Sequence, residues 1–307
     1  MILLCGIPSE TPMALVRQAL DQSGTQYALL HQRKFSSMRI SMEILGGQPG
    51  GKLQLNGDSY SLCDFTGVFS RLMDYRFLPE LKDTPEDSPQ RNFCRNLFDT
   101  LTRWAEITPA RVVNRVAPMG SNFSKPFQAQ LIARFGFEVP ETLITNDPEL
   151  VREFRARHGR VIYKSISGVR SIVQTLTDDD MDRLENIRWC PTQFQAFVDG
   201  TNVRVHTVGQ KVFATAISTE ATDYRYAYRQ SGDHAELRPV ELSDELAEMC
   251  VNLAAGLGLA FAGIDLKITP DNHVYCFEVN PSPAFSYYES NTGQPISSAV
   301  AEYLAGQ

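Results

Sequence analysis

No Cys-x-x-Cys pair occurs in the 307 residues, and the six cysteines, Cys5, Cys63, Cys94, Cys190, Cys250 and Cys276, stand far apart. That excludes a zinc-ribbon or dithiol-redox reading and leaves reduced thiols, several inside apolar runs where a thiol behaves as a small hydrophobe. Histidine is scarce, at five, and shows no metal-ligand spacing, so a zinc centre is not expected. The most apolar internal stretch, Leu253 to Ile264, is short and broken by glycines, and the chain opens without a basic leader. Neither a membrane span nor a signal peptide is expected. Positive charge is also short: 29 Lys and Arg against 36 Asp and Glu leave a net charge of −7. Non-specific wrapping of nucleic acid, which depends on neutralising phosphates, is therefore not expected. The expected setting is cytoplasmic, without a nucleic-acid or membrane partner.

What is present is an ordinary globular composition, 43% apolar and 21% charged, in a chain long enough for two domains. Ile2 to Cys5 reads as a buried strand, and Thr11-Pro12 opens a helix with Leu15, Val16, Ala19 and Leu20 on its apolar stripe. Tyr27 to Leu30 and Val68 to Ser70 read as further strands of a small α/β unit, without a Gly-x-Gly-x-x-Gly fingerprint. A helix with the stripe Phe93, Leu97, Leu101 and Trp104 follows, then a strand at Val112-Val113-Asn114. Beyond it, Lys125-Pro126 opens another helix, Val161 to Lys164 is a strand before a polar loop, and Asn202 to Ile217 alternates as an antiparallel meander. His206 falls in phase with Arg204 on that meander and is read as a hydrogen-bonded strand histidine. The run Arg152, Arg155, Arg157 and Arg160 is read as a solvated helix face.

The richest stretch runs from Gly263 to Pro281. With Thr269 to Asn272 as the loop, Ile268 would face His273 and Asp265 would face Cys276. Period-two geometry then puts Asp265, Cys276, Glu278 and Asn280 on one face, with Asp265 and Glu278 as diagonal neighbours. Two carboxylates and an amide oxygen are hard ligands suited to Mg²⁺, with Mn²⁺ an alternative, and Mg²⁺ in turn favours a nucleotide's phosphates. A solvated hairpin face carrying ordinary acids is the competing reading of the spacing alone.

The order of these features, a lysine opening a helix, a lysine ending a strand, an apolar strand, an arginine on a meander and the acidic hairpin, resembles the ATP-grasp superfamily from Val112 onward. Within it the chain is most similar to the branch of ribosomal-protein glutamate ligases and microviridin-type peptide ligases, through Asp223-Tyr224-Arg225 and Phe277-Glu278-Val279-Asn280-Pro281. The resemblance implies an α/β (α+β) fold: a Rossmann-like pre-ATP-grasp domain at 1–115, then an ATP-grasp unit at 116–307 with antiparallel sheets. The unit would divide into a small nucleotide-binding lobe at 116–197 and a metal-binding, catalytic lobe at 198–307.

It further implies that Lys125 and Lys164 hold the phosphates of ATP under a lid at 165–171 that includes Ser167 and Gly168. Gln195, Ala196, Phe197 and Val198 would form the adenine hinge, with Asp199 or Asn202 on the ribose. Asp265, Glu278 and Asn280 would hold two Mg²⁺ ions, while Arg204 and Arg225 would act in the chemistry. The implied reaction joins a carboxylate to an amine or hydroxyl through an acyl phosphate. The expected substrate is a peptide or an amino acid, and homo-oligomerisation is left open. Two rivals stand beside it: a small-molecule ligase making a dipeptide or glutathione-like product, and a nucleotide-binding regulatory protein without turnover. The second is motivated by a lid poor in glycine and by Ala196 where an acid is frequent.

Overall fold

The computed structural model describes residues 1–166, 173–218 and 235–307. Near the N-terminus four parallel strands lie in the order Tyr27–His31, Ile2–Gly6, Gly67–Ser70 and Arg111–Val113. The central strand Ile2–Gly6 is buried along its whole length, as expected of a strand covered on both faces. A three-stranded antiparallel sheet, Arg39–Leu45, Gln48–Leu55 and Asp58–Ser61, occupies the glycine-rich tract. Helix Pro89–Ile107 buries Cys94, Leu97, Phe98, Leu101 and Trp104. Phe93, expected on that stripe, is 38% exposed. The contact face instead follows Cys94, Leu97, Phe98 and Leu101, an i, i+3, i+4, i+7 set that rotates Phe93 toward water.

Two antiparallel sheets follow. The smaller has the order Gln174–Thr175, Val161–Ser165, Thr192–Ala196, Thr142–Thr145, with helix Pro148–His158 packed beneath it. The larger runs Glu236–Val240, Lys211–Ser218, Thr201–Val208, Phe261–Ile268, Val274–Asn280. One of its faces packs Val203, Val205, Ile264, Cys276 and Val279 against Cys250 and Leu253 of helix Asp244–Gly256. Its other face belongs to a core shared with Ile2 and Leu4 of the first sheet and with Ile296, Val300 and Leu304 of helix Ile296–Ala305. Each large aliphatic side chain so enclosed contributes about 1.5–3 kcal/mol. Among the described residues no helix is long and apolar enough to cross a membrane.

A buried polar staple fastens the first sheet to the larger antiparallel one. Asn114, directly after Arg111–Val113, is 6% exposed. Its Nδ2 donates to the carbonyls of Phe261 and Pro281, each at 2.6 Å, and its Oδ1 accepts from the amides of Ala260 and Phe261 at 2.9 and 3.1 Å. All four bonds reach across at least 146 positions of chain, three to Ala260 and Phe261 where the acidic hairpin begins and one to Pro281 just past its end.

His206 departs from its expected state. It is fully buried, edge-on to Tyr288 with ring centroids 4.9 Å apart, and neither ring nitrogen has a hydrogen-bond partner among the described residues. Burial, and secondarily the neighbouring Arg204 charge, hold its pKa well below the ordinary 6.5. The unfolded chain therefore takes up a proton near the ordinary pKa that the folded chain refuses. This contribution to stability is present above that pH and is lost as pH falls through it. His206→Phe is expected to flatten the fall in melting temperature between about pH 7 and about pH 5, measured by thermal unfolding across that window. An unaltered slope would show that other groups govern it.

Candidate active site

A cleft opens between the two antiparallel sheets. From the smaller sheet it is lined by Ile162, Lys164 and Gln195, and from the larger by Asn202, Asp265, Lys267, Phe277 and Glu278, with Phe197 and Val198 at the join. Alternation explains the composition. Ile162 and Lys164 are two apart on one strand, Gln195 is the register partner of Ile162, and Asp265 and Lys267 are two apart on another.

The acidic hairpin differs from the expected register. Ile268 pairs with Val274, and Thr269–His273 makes the turn, with the Thr269 amide donating to the His273 carbonyl. Leu266 pairs with Cys276, yet Asp265 pairs with Glu278, so Phe277 is an extra residue in a β-bulge. The two acids are thus directly opposite each other rather than diagonal. Cys276 is not on their face: it is 1% exposed in the core, and burial pushes its thiol pKa well up. Phe277, expected to face away, lines the cleft. The bulge inserts one residue, and one residue reverses every side chain beyond it.

Each acid has a cation from a different element. Lys125 Nζ donates to Glu278 Oε2 at 2.7 Å, and Arg204 Nη1 donates to Asp265 Oδ1 at 2.7 Å. These side chains are largely withdrawn from water, at 13% and 22% exposure for the first pair and 6% and 23% for the second. Arg204, which the resemblance puts in the chemistry, meets its register partner Asp265. Asn280 pairs with Gly263 one step further along and turns its Oδ1 back to the Ser282 amide at 2.9 Å. A carboxamide oxygen with one such bond retains a second lone pair for a ligand.

Gly263 makes room for the arginine. A Cβ there would lie 2.1 Å from Arg204 Nη2, 2.6 Å from its Cζ and 2.8 Å from Pro283 Cβ. Gly263→Ala removes no functional group, yet it is expected to expel the Arg204 fork and lower kcat/KM about a hundredfold. Steady-state ADP release checks this, with circular dichroism to verify the fold. Retained activity would detach Arg204 from turnover.

Other expected residues scatter. Ala196 and Asp199 line a separate groove on the reverse side of the join, where Asp199 Oδ1 accepts from the Gly200 amide. Asn202 lies in the cleft. Ser167, Gly168 and Arg225 lie outside the described residues. Arg155 pairs with Asp178, and Arg152 with Glu149 and Glu185, as befits a solvated face. Arg160 is the exception, its guanidinium 3.7 Å from the centroid of the Phe197 ring.

Two contributors were not anticipated. Gln128, 2% exposed, docks helix Lys125–Ala133 on the acidic strand: its Nε2 donates to the Val279 carbonyl at 2.8 Å and its Oε1 accepts from the Val279 amide at 3.0 Å. That clamp fixes Lys125 against Glu278. Lys267 lines the cleft and donates to the Val198 carbonyl at 3.1 Å. Its spacing of two from Asp265 was the signal that could have found it; nothing local marks Gln128.

The sequence profile of the RimK-like ATP-grasp domain matches residues 124–304. Among curated proteins, the probable alpha-L-glutamate ligase of Saccharophagus degradans is 25% identical over 214 residues, covering 66% of this chain and 70% of that protein. Its counterpart from Rhodopirellula baltica is 22% identical over 308 residues, covering 94% and 67%. Among solved structures, the ATP-grasp ligase PsnB complexed with minimal precursor, Mg and ADP is similar with a TM-score of 0.79 at 26% identity, covering 99% of this chain and 96% of that one. The macrocyclase MdnC of Microcystis aeruginosa, bound with precursor peptide MdnA, has a TM-score of 0.78 at 24% identity over 100% of both chains, a likeness of fold.

Proposed function

The chain belongs to the RimK-like ATP-grasp family, and from that membership we propose that it joins carboxyl groups of a peptide to an amine or hydroxyl at the expense of ATP. It is an ATP-grasp ligase. In the chemistry general to the family, a substrate carboxylate takes the γ-phosphoryl group of ATP, giving an acyl phosphate and ADP. A nitrogen or oxygen nucleophile then attacks the acyl carbon and phosphate departs.

The side chains suit Mg-ATP. The cleft offers hard oxygen donors beside lysine and arginine, the donor set that magnesium and phosphates require. We assign Asp265, Glu278 and Asn280 to two magnesium ions, which when bound would neutralise charge on the phosphates. Lys125 and Lys164 are assigned to the phosphates, and Ser167 and Gly168 to their cover. The hinge from Gln195 to Val198 is assigned to the base, and Asn202 to the ribose in preference to Asp199, which is turned to the reverse groove. Arg204 and Arg225 stabilise charge developing on the acyl and phosphoryl oxygens. We divide the chain near residue 115 and read the parallel sheet before it as the Rossmann-like pre-ATP-grasp domain. The cytoplasm is the setting in which the six cysteines, all free, stay reduced.

The observation that carries this reading is the direct opposition of Asp265 and Glu278, each already matched by a cation from a separate element. The peptide is favoured because PsnB, alike over 99% of this chain, is solved with its precursor. A cavity of about 790 Å³ also adjoins the hairpin's end, lined by Glu10, Arg71, Asp99 and Ser282. There Arg71 donates to Glu10 Oε1 at 2.9 Å and to Ser282 Oγ at 3.2 Å.

The test is incubation with Mg-ATP and a panel of acid-rich peptides, or with free amino acids, reading ADP release and product mass. Peptide-dependent ADP release with loss of one water mass or gain of one aminoacyl mass is expected. ADP release with free amino acids alone would favour the small-molecule ligase, and none with any substrate the regulatory protein.

A further inference from the structure

We propose that Glu10, held by Arg71, is the general base that takes the proton from the incoming nucleophile. The inference rests on the ligase reading and extends it to the second half of the reaction, in which an N–H or O–H must give up its proton. The acids of the hairpin are already engaged, Asp265 by Arg204 and Glu278 by Lys125.

The parallel sheet changes direction at its first strand. From Ile2–Gly6 the chain passes through helix Thr11–Gln22 to Tyr27–His31 on one side, whereas Gly67–Ser70 lies on the other. Beyond the carboxyl ends of two such neighbours the loops part and leave a crevice, the place where open parallel sheets bind their ligands. Glu10 lies in the first of these loops and Arg71 directly follows the second strand. Both line the cavity beside the hairpin's end. The Arg71 amide donates to the Cys5 carbonyl at 2.8 Å, which carries the pairing one step past the strand and fixes where the arginine side chain starts.

Glu10 has no local duty. It stands at the N-cap of helix Thr11–Gln22, a position that favours Ser, Thr, Asp or Asn, and its side chain caps nothing. The carboxylate turns to Arg71 instead. Nε and Nη2 both donate to Oε1, at 2.9 and 2.5 Å, where a guanidinium fork commonly spreads over both oxygens. Oε2 is left without a hydrogen-bond partner among the described residues. Glu10 is also the more open member of the pair, at 36% exposure against 11%, so the acid is presented and the arginine backs it. The third arm of the guanidinium reaches the metal triad: Arg71 Nη1 donates to Ser282 Oγ at 3.2 Å, and the Ser282 amide donates to Asn280 Oδ1 at 2.9 Å. Glu10 is thereby keyed to the end of the acidic hairpin.

The other acids of the cavity are less suited. Both oxygens of Asp74 accept from Arg76, whose bonds hold that carboxyl below the ordinary carboxylate range. Asp99 belongs to helix Pro89–Ile107 and has no hydrogen bond to the hairpin among the described residues. In the step assigned to Glu10, the nitrogen or oxygen of the nucleophile forms its bond to the acyl carbon, the bond from that carbon to the phosphate oxygen breaks, and phosphate leaves with the electron pair. The proton passes from the nucleophile to Glu10 Oε2 and from there to solvent. A neutral amine and a hydroxyl each lose one proton in this way, so one base serves either.

Single-turnover rapid quench with Mg-ATP, following ADP and ligated peptide separately, tests this in the wild type, Glu10→Gln and Arg71→Met. The substrates are acid-rich peptides whose one nucleophile is either a lysine or a threonine, so the arm that reacts tells amine from hydroxyl. Glu10→Gln is expected to form ADP within about threefold of the wild-type rate but ligated peptide about a hundredfold more slowly, with ADP running ahead of product. Glutamine keeps an oxygen for Arg71, and a loss confined to the second product is not a loss of fold. Arg71→Met releases the carboxylate and should slow product about tenfold with the same sparing of ADP. It decides the matter if Glu10→Gln fails to fold. Product formed at the wild-type rate, or ADP slowed as much as product, would overturn the inference while the ligase reading stands. So would the same defect in Asp99→Asn in place of Glu10→Gln. A wild type that forms no ADP with either peptide would overturn the ligase reading itself, and the inference with it.

Discussion

Glu278→Gln is expected to cut peptide-dependent ADP release about a hundred- to a thousandfold, the range seen when one group that meets developing charge is removed. The substitution is nearly isosteric. Its amide oxygen can still accept from Lys125 Nζ, now 2.7 Å from Oε2, so the contact between helix and hairpin survives in weaker form. What disappears is one of the two negative charges directly opposed at the cleft. The loss should therefore fall on the concentration of Mg²⁺ needed for half-maximal rate and on turnover, with little change in melting temperature. Lys125→Met is the complementary variant: it leaves Glu278 without its cation and should raise that Mg²⁺ requirement less. Near-normal turnover in Glu278→Gln at low Mg²⁺ would remove the hairpin from the metal reading altogether.

Asn114→Ala is expected to lower stability by about 3–5 kcal/mol, because it strands two buried amides and two buried carbonyls at once. In a chain of this size that corresponds to a drop of about 5–8 °C in melting temperature. Asn114→Asp sharpens the test. Aspartate keeps the two acceptor bonds but turns a negative oxygen on the carbonyls of Phe261 and Pro281, so it should be at least as damaging as alanine. Since Pro281 follows Asn280 directly, both variants should also weaken Mg²⁺-dependent turnover beyond what the melting shift explains. A melting temperature within about 2 °C of wild type in either variant would mean that the staple carries little of the fold's stability.

Much of this site was legible in the chain because strands write their faces into alternation. Asp265, Glu278 and Lys164 sit inside apolar runs where a charge is conspicuous, and all three line the cleft. Alternation fails where an extra residue enters, and the bulge at Phe277 changes neither composition nor flanking turns, so the side of Cys276 was misassigned. The roles of Gln128 and Asn114 were illegible for another reason. Their partners are main-chain groups 151 and 146–167 positions away, and a backbone amide carries no residue-specific mark. Arg204 was conspicuous as a charge on an apolar meander, but its partner emerged only from the register that sets it opposite Asp265.

The shared core between the first strand and helix Ile296–Ala305 bears on synthesis. Ile2 and Leu4 pack in one cluster with Val300 and Leu304, and the backbone of Leu304 lies so near Gly67 that an added Cβ would come within 2.5 Å of its carbonyl oxygen. Leu4 leaves the ribosome 300 positions before Leu304. At about 5–20 residues per second, that interval lasts roughly 15–60 s. Throughout it the part of the Ile2–Gly6 flank that helix Ile296–Ala305 covers stays greasy and exposed to the crowded cell, so the nascent chain is a natural client for holding chaperones until that helix arrives.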